Sequence, residues 1–201
     1  MSELAELCAE INECQKCGLG RLRLKAVPGD GPENASIMFI GEAPGWHENQ
    51  QGKPFVGPAG QLLDELLASI GLKRADVYIA NVIKCRPPDN RDPLPEEIAA
   101  CADYLSRQIA TLKPTVIVTL GRYSMAKFFG GESISRIHGQ PRKFEDVIVF
   151  PMYHPAAALH QPRLHQDLIN DMKKLPAILA EAGDIQEGQE PEEQAQQLSL
   201  F

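Results

Sequence analysis

Four short apolar runs rich in Val and Ile, separated by segments of helical periodicity, constrain the fold of this chain most strongly. The runs cover residues 36–40, 77–82, 115–120 and 147–150. None alternates between apolar and polar residues, which is typical of strands covered on both faces. Helical patterns occur at 2–13, 59–70, 95–112, 121–129 and near 165–180. We therefore predict an α/β fold, a three-layer α/β/α sandwich with a central four-stranded, mainly parallel sheet.

The chain divides into one folded domain and a tail. Its 201 residues, 43% of them hydrophobic, suffice for a single well-buried core, which we assign to residues 1–180. Residues 181–201 carry six acidic side chains and no Lys or Arg. This stretch is rich in Gln and Glu, so we predict a disordered acidic tail.

The first twenty residues contain neither a basic segment nor a long apolar run. We therefore expect no signal peptide and no membrane span, and a cytoplasmic protein whose thiols stay reduced. The net charge of −7 would usually argue against a nucleic-acid partner. Because the acidic tail accounts for almost all of it, the predicted domain is close to neutral, and local basic groups matter more than the total.

A long loop rich in glycine and proline follows the first predicted strand, over residues 41–60. Glycines let the backbone approach a ligand closely, and prolines stiffen the loop. Phe55 offers an aromatic face, and Glu42 and Glu48 offer carboxylates. Since open α/β sheets bind ligands at the carboxyl ends of their strands, we predict a pocket that grips a flat polar ring and acts on it. The alternative, a plain turn into a helix, needs no loop of this length.

Three polar side chains follow the other predicted strands. Asn81 ends the second run and carries the donor and acceptor needed to read the edge of an amide ring, and Asn90 offers the same groups from a loop. His154 follows the fourth run and is held extended by Pro155. Each has an ordinary alternative, a turn-capping asparagine or a structural histidine. Their expected position at one edge of the sheet favours the functional interpretation.

The five cysteines suggest a metal site. Cys14 and Cys17 form a Cys-x-x-Cys pair, and two further ligands could come from Cys85, after the second strand, and Cys101, in the next helix. Four soft ligands suit either zinc or a [4Fe–4S] cluster, and the spacing does not separate the two. Alternatively, Cys85 and Cys101 are ordinary core residues, as we expect for Cys8.

Five motifs together resemble the uracil-DNA glycosylase superfamily, in particular family 4, the iron–sulfur-bearing bacterial and archaeal enzymes. They are Gly-Glu-Ala-Pro-Gly from Gly41, Pro-Phe-Val-Gly-Pro-Ala-Gly from Pro54, Asn-Val-Ile-Lys-Cys-Arg-Pro-Pro from Asn81, Thr-Leu-Gly-Arg from Thr119, and His154-Pro155. The resemblance runs from Cys14 to about Leu179. It implies a base excision repair enzyme that flips uracil out of single- or double-stranded DNA, hydrolyses its N-glycosidic bond and leaves an abasic site.

The resemblance also implies roles for individual residues. The base pocket would comprise Gly41, Phe55 stacking on uracil, Asn81 bonding to its edge, Glu48 where thymine's methyl group must be excluded, His154 facing uracil O2, and Glu42 with Asn90 positioning the attacking water. The four cluster cysteines of the family fall on Cys14, Cys17, Cys85 and Cys101. The resemblance thus favours [4Fe–4S] over zinc.

Two further surfaces are expected to bind partners. Arg86, Arg91, Arg122 and Arg163 lie near the predicted rim and could contact DNA phosphates, while Leu159 is a candidate wedge for the gap left by the flipped base. The alternative for each arginine is a solvated surface. The last residues, including Gln197, Leu198, Leu200 and Phe201, are similar to the bacterial peptide that binds the DNA polymerase sliding clamp. Otherwise the tail folds back on its own domain.

Two rival functions remain open from the sequence. One is a non-catalytic iron–sulfur module that binds DNA or nucleotides. The other is a zinc-stabilised α/β hydrolase of a nucleoside. For the glycosylase we expect a monomer that is cytoplasmic and associated with the nucleoid.

Overall fold

The computed structural model describes residues 2–159 and 161–187. Residues 183–187 are described by their main chain only. The helices are α1 (Glu3–Glu13), α2 (Leu19–Leu22), α3 (Trp46–Gln51), α4 (Pro58–Ser69), α5 (Pro95–Leu112), α6 (Arg122–Ala126), α7 (Ile134–Ile137), α8 (Pro155–Ala158), α9 (Pro162–Met172) and α10 (Leu175–Glu187). The strands are β1 (Ile37–Gly41), β2 (Tyr78–Asn81), β3 (Val116–Leu120), β4 (Arg142–Phe144) and β5 (Val147–Met152).

The strands form one sheet in the order β2-β1-β3-β5-β4. The first four are parallel, and β4 pairs antiparallel with β5 at the edge. The predicted mainly parallel sheet is therefore confirmed, but it has five strands and not four. The sequence does not reveal the fifth strand, β4, because it is a three-residue edge strand, Arg-Lys-Phe, whose first two side chains are exposed. Such a strand has no apolar run to reveal it.

Two hydrophobic clusters cover the two faces of the sheet, which confirms the three-layer sandwich. On one face α1 and α5 pack over residues such as Met38, Ile40 and Ile117. On the other, α4, α9 and α10 pack over Phe39, Val118 and Phe150. Every residue of β1, β2 and β3 is buried, which explains the unbroken apolar runs.

Local sequence signals mark the start of several helices. Ser2 caps α1 by accepting a hydrogen bond from the amide of Ala5. Proline stands at the first position of α4, α5, α8 and α9, where its missing N–H is not needed. The helix predicted at 121–129 is shorter, ending at Ala126, and the one predicted near 165–180 is divided into α9 and α10.

The helix α10 continues through Glu187, so the chain remains helical beyond the predicted domain boundary at residue 180. Ala182 is buried in the core, which explains the extension. The rest of the predicted tail, including residues 197–201, lies outside the described residues. Within the described part of the chain, no helix is both long and apolar enough to cross a membrane.

Candidate active site

A cavity of about 380 Å³ opens at the carboxyl ends of β1, β2 and β5. It is lined by Glu42, Ala43, Pro44, Gly45, Glu48, Phe55, Ala59, Asn81, Pro87, Asn90, Arg91, His154, Ala156 and Ala157. All the polar residues predicted for the base pocket are among them. The chain brings these strand-end loops together because parallel strands end at the same edge of the sheet.

Asn81 lines this cavity, and Gly41 lies beside Asn81 without itself being one of the lining residues. They are direct partners in the ladder between β1 and β2. A β-carbon on Gly41 would lie 2.4 Å from Asn81 Oδ1 and 2.6 Å from the Phe55 ring, so only glycine fits here. Asn81 is 1% exposed, and its Oδ1 is buried without a hydrogen-bond partner in the described structure. A buried, unpaired acceptor at a cavity wall is ready to receive an N–H from a ligand.

Phe55 is held in a conformation that is unusual for a side chain of its size. Its φ is +52°, in the left-handed region, and the residue is 5% exposed. Arg74 stabilises the turn by donating from Nη1 to the Phe55 carbonyl at 2.9 Å and from Nη2 to the Pro54 carbonyl. A β-carbon on Gly60 would lie 1.8 Å from the Phe55 carbonyl oxygen, which explains the glycine there.

His154 caps α8 and faces Phe55, with their ring centroids 5.5 Å apart and their planes inclined by 25°. Its Nδ1 accepts a hydrogen bond from the amide of Ala156 at 3.1 Å, so in the neutral ring the proton is on Nε2. Burial lowers the pKa of His154 to about 4, against an opposing effect of Glu48. At neutral pH the ring is therefore an uncharged donor through Nε2.

Glu42 follows β1 directly and is partly buried at the cavity wall. Burial, and secondarily the charge of Asp92, raises the pKa of its carboxyl, while Arg122 opposes the shift. A carboxylate with a raised pKa is suited to accept a proton from water. Asn90 lies opposite on an exposed turn with a φ of +52°, and its Oδ1 accepts from Arg86 Nε at 2.7 Å.

Glu48 fastens the loop that forms the cavity. Its carboxylate accepts hydrogen bonds from the amides of Gly45, Val56 and Gly57 at 3.1, 2.8 and 3.0 Å. Glu48 therefore joins the part of the loop at Gly45 to the part at Val56 and Gly57. This role is separate from the contact with a base that the resemblance implies for Glu48. No pattern in the sequence indicates this second role of Glu48 within the loop.

Cys14, Cys17, Cys85 and Cys101 line a second, smaller cavity, between α1, the segment after β2, and α5. Cys8 is half-buried and packs against the core cluster, as expected for it from the sequence. Burial raises the pKa of Cys85, and that of Cys101 to about 11, so these thiols need a cation or cluster to ionise. Arg23 Nη1 lies 3.0 Å from Cys85 Sγ. Among the described residues, no three His, Cys, Asp or Glu side chains converge closely enough to hold a single metal ion.

The predicted DNA-contacting arginines differ in their surroundings. Arg91 forms a two-pronged ion pair with Glu97, at 2.6 and 2.9 Å, and Arg122 pairs with Asp92. Both side chains are therefore already engaged in ion pairs near the cavity. Arg163 is exposed near the start of α9, and Leu159 is 40% exposed just after α8.

Sequence reasoning missed two cations that support the site, Arg74 and Lys84. Lys84 is only 1% exposed and donates from Nζ to the Asn81 carbonyl at 2.7 Å. Nothing in a single sequence distinguishes a buried lysine from the usual exposed one.

The fold and site thus define an α/β protein whose cavity is lined by an aromatic face, an unpaired amide acceptor, a neutral imidazole donor and a carboxylate. Residues 28–175 match the family model described as the uracil DNA glycosylase superfamily.

The chain is 48% identical over 184 residues to a type-4 uracil-DNA glycosylase of Archaeoglobus fulgidus, covering 87% of this chain and 92% of that protein. It is 49% identical over 185 residues to the type-4 enzyme of Sulfurisphaera tokodaii, covering 87% and 84%. For the type-4 enzyme of Saccharolobus solfataricus the values are 47% over 190 residues, covering 90% and 88%. The chain therefore belongs to the uracil DNA glycosylase superfamily, in its type-4 branch, which confirms the resemblance of the motifs.

Proposed function

We propose that this chain is a uracil-DNA glycosylase that hydrolyses the N-glycosidic bond of uracil in DNA. The unpaired, buried Oδ1 of Asn81 carries the proposal, because it supplies the acceptor that uracil N3–H requires. The type-4 relatives support it by their shared activity. A DNA substrate is compatible with the nucleoid-associated location expected from the sequence. That location and the expected monomeric state stay predictions.

Recognition begins with extrusion of the nucleotide, at a cost of a few kcal/mol that is least for a mispaired base. Stacking on Phe55 returns about 1–3 kcal/mol. Asn81 then accepts from N3–H and donates from Nδ2 to O4. Cytosine presents the opposite pattern at these two atoms, so it would leave the buried amide unsatisfied. Glu48, which lines the same cavity, would exclude the methyl group of thymine.

Cleavage leaves the bonding electron pair on uracil N1 as positive charge grows on the sugar. His154 stabilises the departing base by donating from Nε2 to uracil O2, where negative charge develops. Because the imidazole is neutral, this donation needs no protonated histidine. The amides of the loop after Gly41 assist in the same way.

Water completes the reaction by adding its oxygen to C1′ of the sugar. Glu42 and Asn90 hold this water, and the Glu42 carboxylate accepts its proton. The uracil anion then takes up a proton at N1 and Glu42 releases its proton to solvent, so the products are free uracil and an abasic site, with one water consumed.

The DNA backbone would be held by cations around the cavity. Arg86, which is half-buried, and Arg163, which is exposed, would contact phosphates, with Arg91 and Arg122 contributing from their ion pairs. Leu159, exposed beside the cavity, would fill the gap left by the extruded base. Phosphate contacts of this kind weaken as salt rises.

We further infer that Cys14, Cys17, Cys85 and Cys101 hold a [4Fe–4S] cluster. The four thiols line one cavity, and the type-4 resemblance of the chain favours a cluster over a zinc ion at that place. Arg23 beside Cys85 and Lys84 in the cavity wall supply positive charge for a set of thiolates. The cluster would tie α1 to α5 and the end of β2. Purified protein should be brown and contain iron, whereas zinc would leave it colourless.

The tail residues Gln197, Leu198, Leu200 and Phe201 lie outside the described part of the chain, and we propose from their sequence that they bind the sliding clamp. Apolar side chains at the end of an acidic tether suit a hydrophobic pocket on a partner. Deleting residues 197–201 should abolish clamp binding and leave uracil release from short DNA unchanged. Clamp binding that survives the deletion would refute this.

The central experiment measures free uracil released from a labelled U·G oligonucleotide. Wild-type protein should leave abasic sites, while Asn81→Ala and His154→Ala should each slow release by about 10²-fold or more. A brown protein that binds the DNA and releases no uracil would instead favour the non-catalytic module.

A further inference from the structure

Lys84 occupies a position that its charge does not favour. It is 1% exposed, between the base cavity and the cavity of the four cysteines, whose wall it joins. Its Nζ donates to the Asn81 carbonyl at 2.7 Å and to Gln108 Oε1 at 2.6 Å. Both acceptors are neutral. A buried ammonium is retained at a considerable cost in desolvation, so a specific task is expected of it.

Gln108 fixes the direction of this contact from α5. Its Nε2 donates to the Pro28 carbonyl at 2.8 Å and to Tyr78 Oη at 3.2 Å, so its Oε1 is turned to Lys84. The side chain is 0% exposed. Lys84 is therefore joined to a fully buried hydrogen-bond network that is anchored at both ends.

The Asn81 carbonyl lies where β2 leaves the sheet. The next two amides, of Val82 and Ile83, still bond to the carbonyls of Gly41 and Glu42. The Asn81 carbonyl points away from that ladder and is held by Lys84, three residues further along the chain. Fixing this carbonyl fixes the peptide plane that carries the Asn81 side chain.

We propose that Lys84 is a positioning residue for base recognition, which holds the Asn81 amide in place through its main-chain carbonyl. The inference rests on the proposed role of Asn81 in binding uracil. Lys84 touches neither base nor sugar and influences base recognition only through Asn81. An amide displaced by even 1 Å would lose much of its contribution, since misplacement on that scale can lower a rate about 10²-fold.

A double-mutant cycle tests this directly. Lys84→Met keeps most of the side-chain volume and removes both hydrogen bonds. We expect single-turnover uracil release from a U·G duplex to fall about 10- to 100-fold. In Asn81→Ala/Lys84→Met, the rate should equal that of Asn81→Ala within about 2-fold, because the two residues act as a unit. Lys127→Met, a change at an exposed lysine bonded to Ser106, is the matched control.

Binding gives a second measurement that does not depend on turnover. The probe is a duplex carrying 2′-fluorinated deoxyuridine opposite guanine, whose glycosidic bond resists cleavage. Lys84→Met should weaken its binding about 10-fold and leave binding of the same duplex with thymine unchanged. Iron content is measured for each variant, so that loss of a cluster is separated from loss of positioning.

Three results would overturn the proposal. If Lys84→Met releases uracil at the wild-type rate, or if its loss of rate multiplies with that of Asn81→Ala, the positioning role alone is refuted. A wild-type rate in Asn81→Ala refutes the role of Asn81 as well. If Lys84→Met does not fold or loses iron, Gln108→Met decides in the same cycle, with an expected loss of about 3- to 10-fold that again does not add to Asn81→Ala.

Discussion

Gly41 and Asn81 are paired at the carboxyl ends of β1 and β2, and a β-carbon on Gly41 would lie 2.4 Å from Asn81 Oδ1. The same atom would lie 2.6 Å from the ring of Phe55. The missing side chain is therefore what allows the amide and the aromatic face to meet around one ligand. The φ of Gly41 is not in the left-handed region, so contact distance and not backbone conformation requires glycine here.

Gly41→Ala should consequently damage the cavity more than the fold. The added methyl group displaces the Asn81 amide or the Phe55 ring, and we expect uracil release to fall by about 10²-fold. Single-turnover kinetics measures the loss, and circular dichroism checks the fold. Gly130→Ala is the matched control, because nothing lies within 4 Å of a β-carbon there. Equal rates for the two variants would show that the close approach is unimportant.

Arg74→Met should impair the site from outside it. The change removes the donors to the Phe55 and Pro54 carbonyls, so Phe55 is free to leave its left-handed conformation. We expect a lower melting temperature, from a loss of about 1–3 kcal/mol, together with slower uracil release. Thermal unfolding and single-turnover kinetics measure the two effects.

Asp64→Asn is the control for that change. Asp64 lies 3.0 Å from Arg74 Nη1 and is largely exposed, so its ion pair contributes only about 0–1 kcal/mol. The variant keeps the guanidinium on the two carbonyls and should behave as wild type. If Asp64→Asn is as impaired as Arg74→Met, the ion pair and not the carbonyl contacts supports the loop.

The acidic limb of the pH–rate profile should belong to Glu42. The reaction needs its carboxylate, and burial raises its pKa, so the rate should fall as pH drops through a value above the ordinary 4.5. The His154 pKa of about 4 keeps that ring neutral throughout this range, so it adds no limb of its own. Glu42→Gln should remove the limb and lower the rate by about 10²–10⁴-fold. A limb that persists in Glu42→Gln would assign it to another group.

Much of the fold could be predicted from the sequence, because strands that are buried on both faces are unbroken apolar runs. Four strands appeared as unbroken apolar runs, and the segments of helical periodicity between them marked the longer helices. The edge strand β4 has no apolar run, since the side chains of Arg142 and Lys143 are exposed. The division between α9 and α10 was also missed, because the apolar spacing continues across it.

The residues of the site that lie at or just after the end of a strand could be predicted from the sequence. Parallel strands deliver their following loops to one edge, which placed Glu42, Asn81 and His154 together. The supports could not be foreseen, because they join segments far apart in the chain. Arg74 reaches Phe55 across 19 positions and Lys84 reaches Gln108 across 24. The partners of Arg91 and Arg122, which are Glu97 and Asp92, likewise became evident only from the fold.

Replacing one cysteine at a time should separate the cluster ligands from the core. Cys85→Ser should remove most of the bound iron and the brown colour, and lower the melting temperature, because α5 and the end of β2 would lose their link to α1. Cys8→Ser is the matched control, since Cys8 is a partly buried cysteine outside the cavity lined by the other four. It should keep its iron. Metal analysis and visible absorption of both proteins measure the difference. Full iron content in Cys85→Ser, equal losses in both variants, or zinc in the wild-type protein would each contradict the assignment.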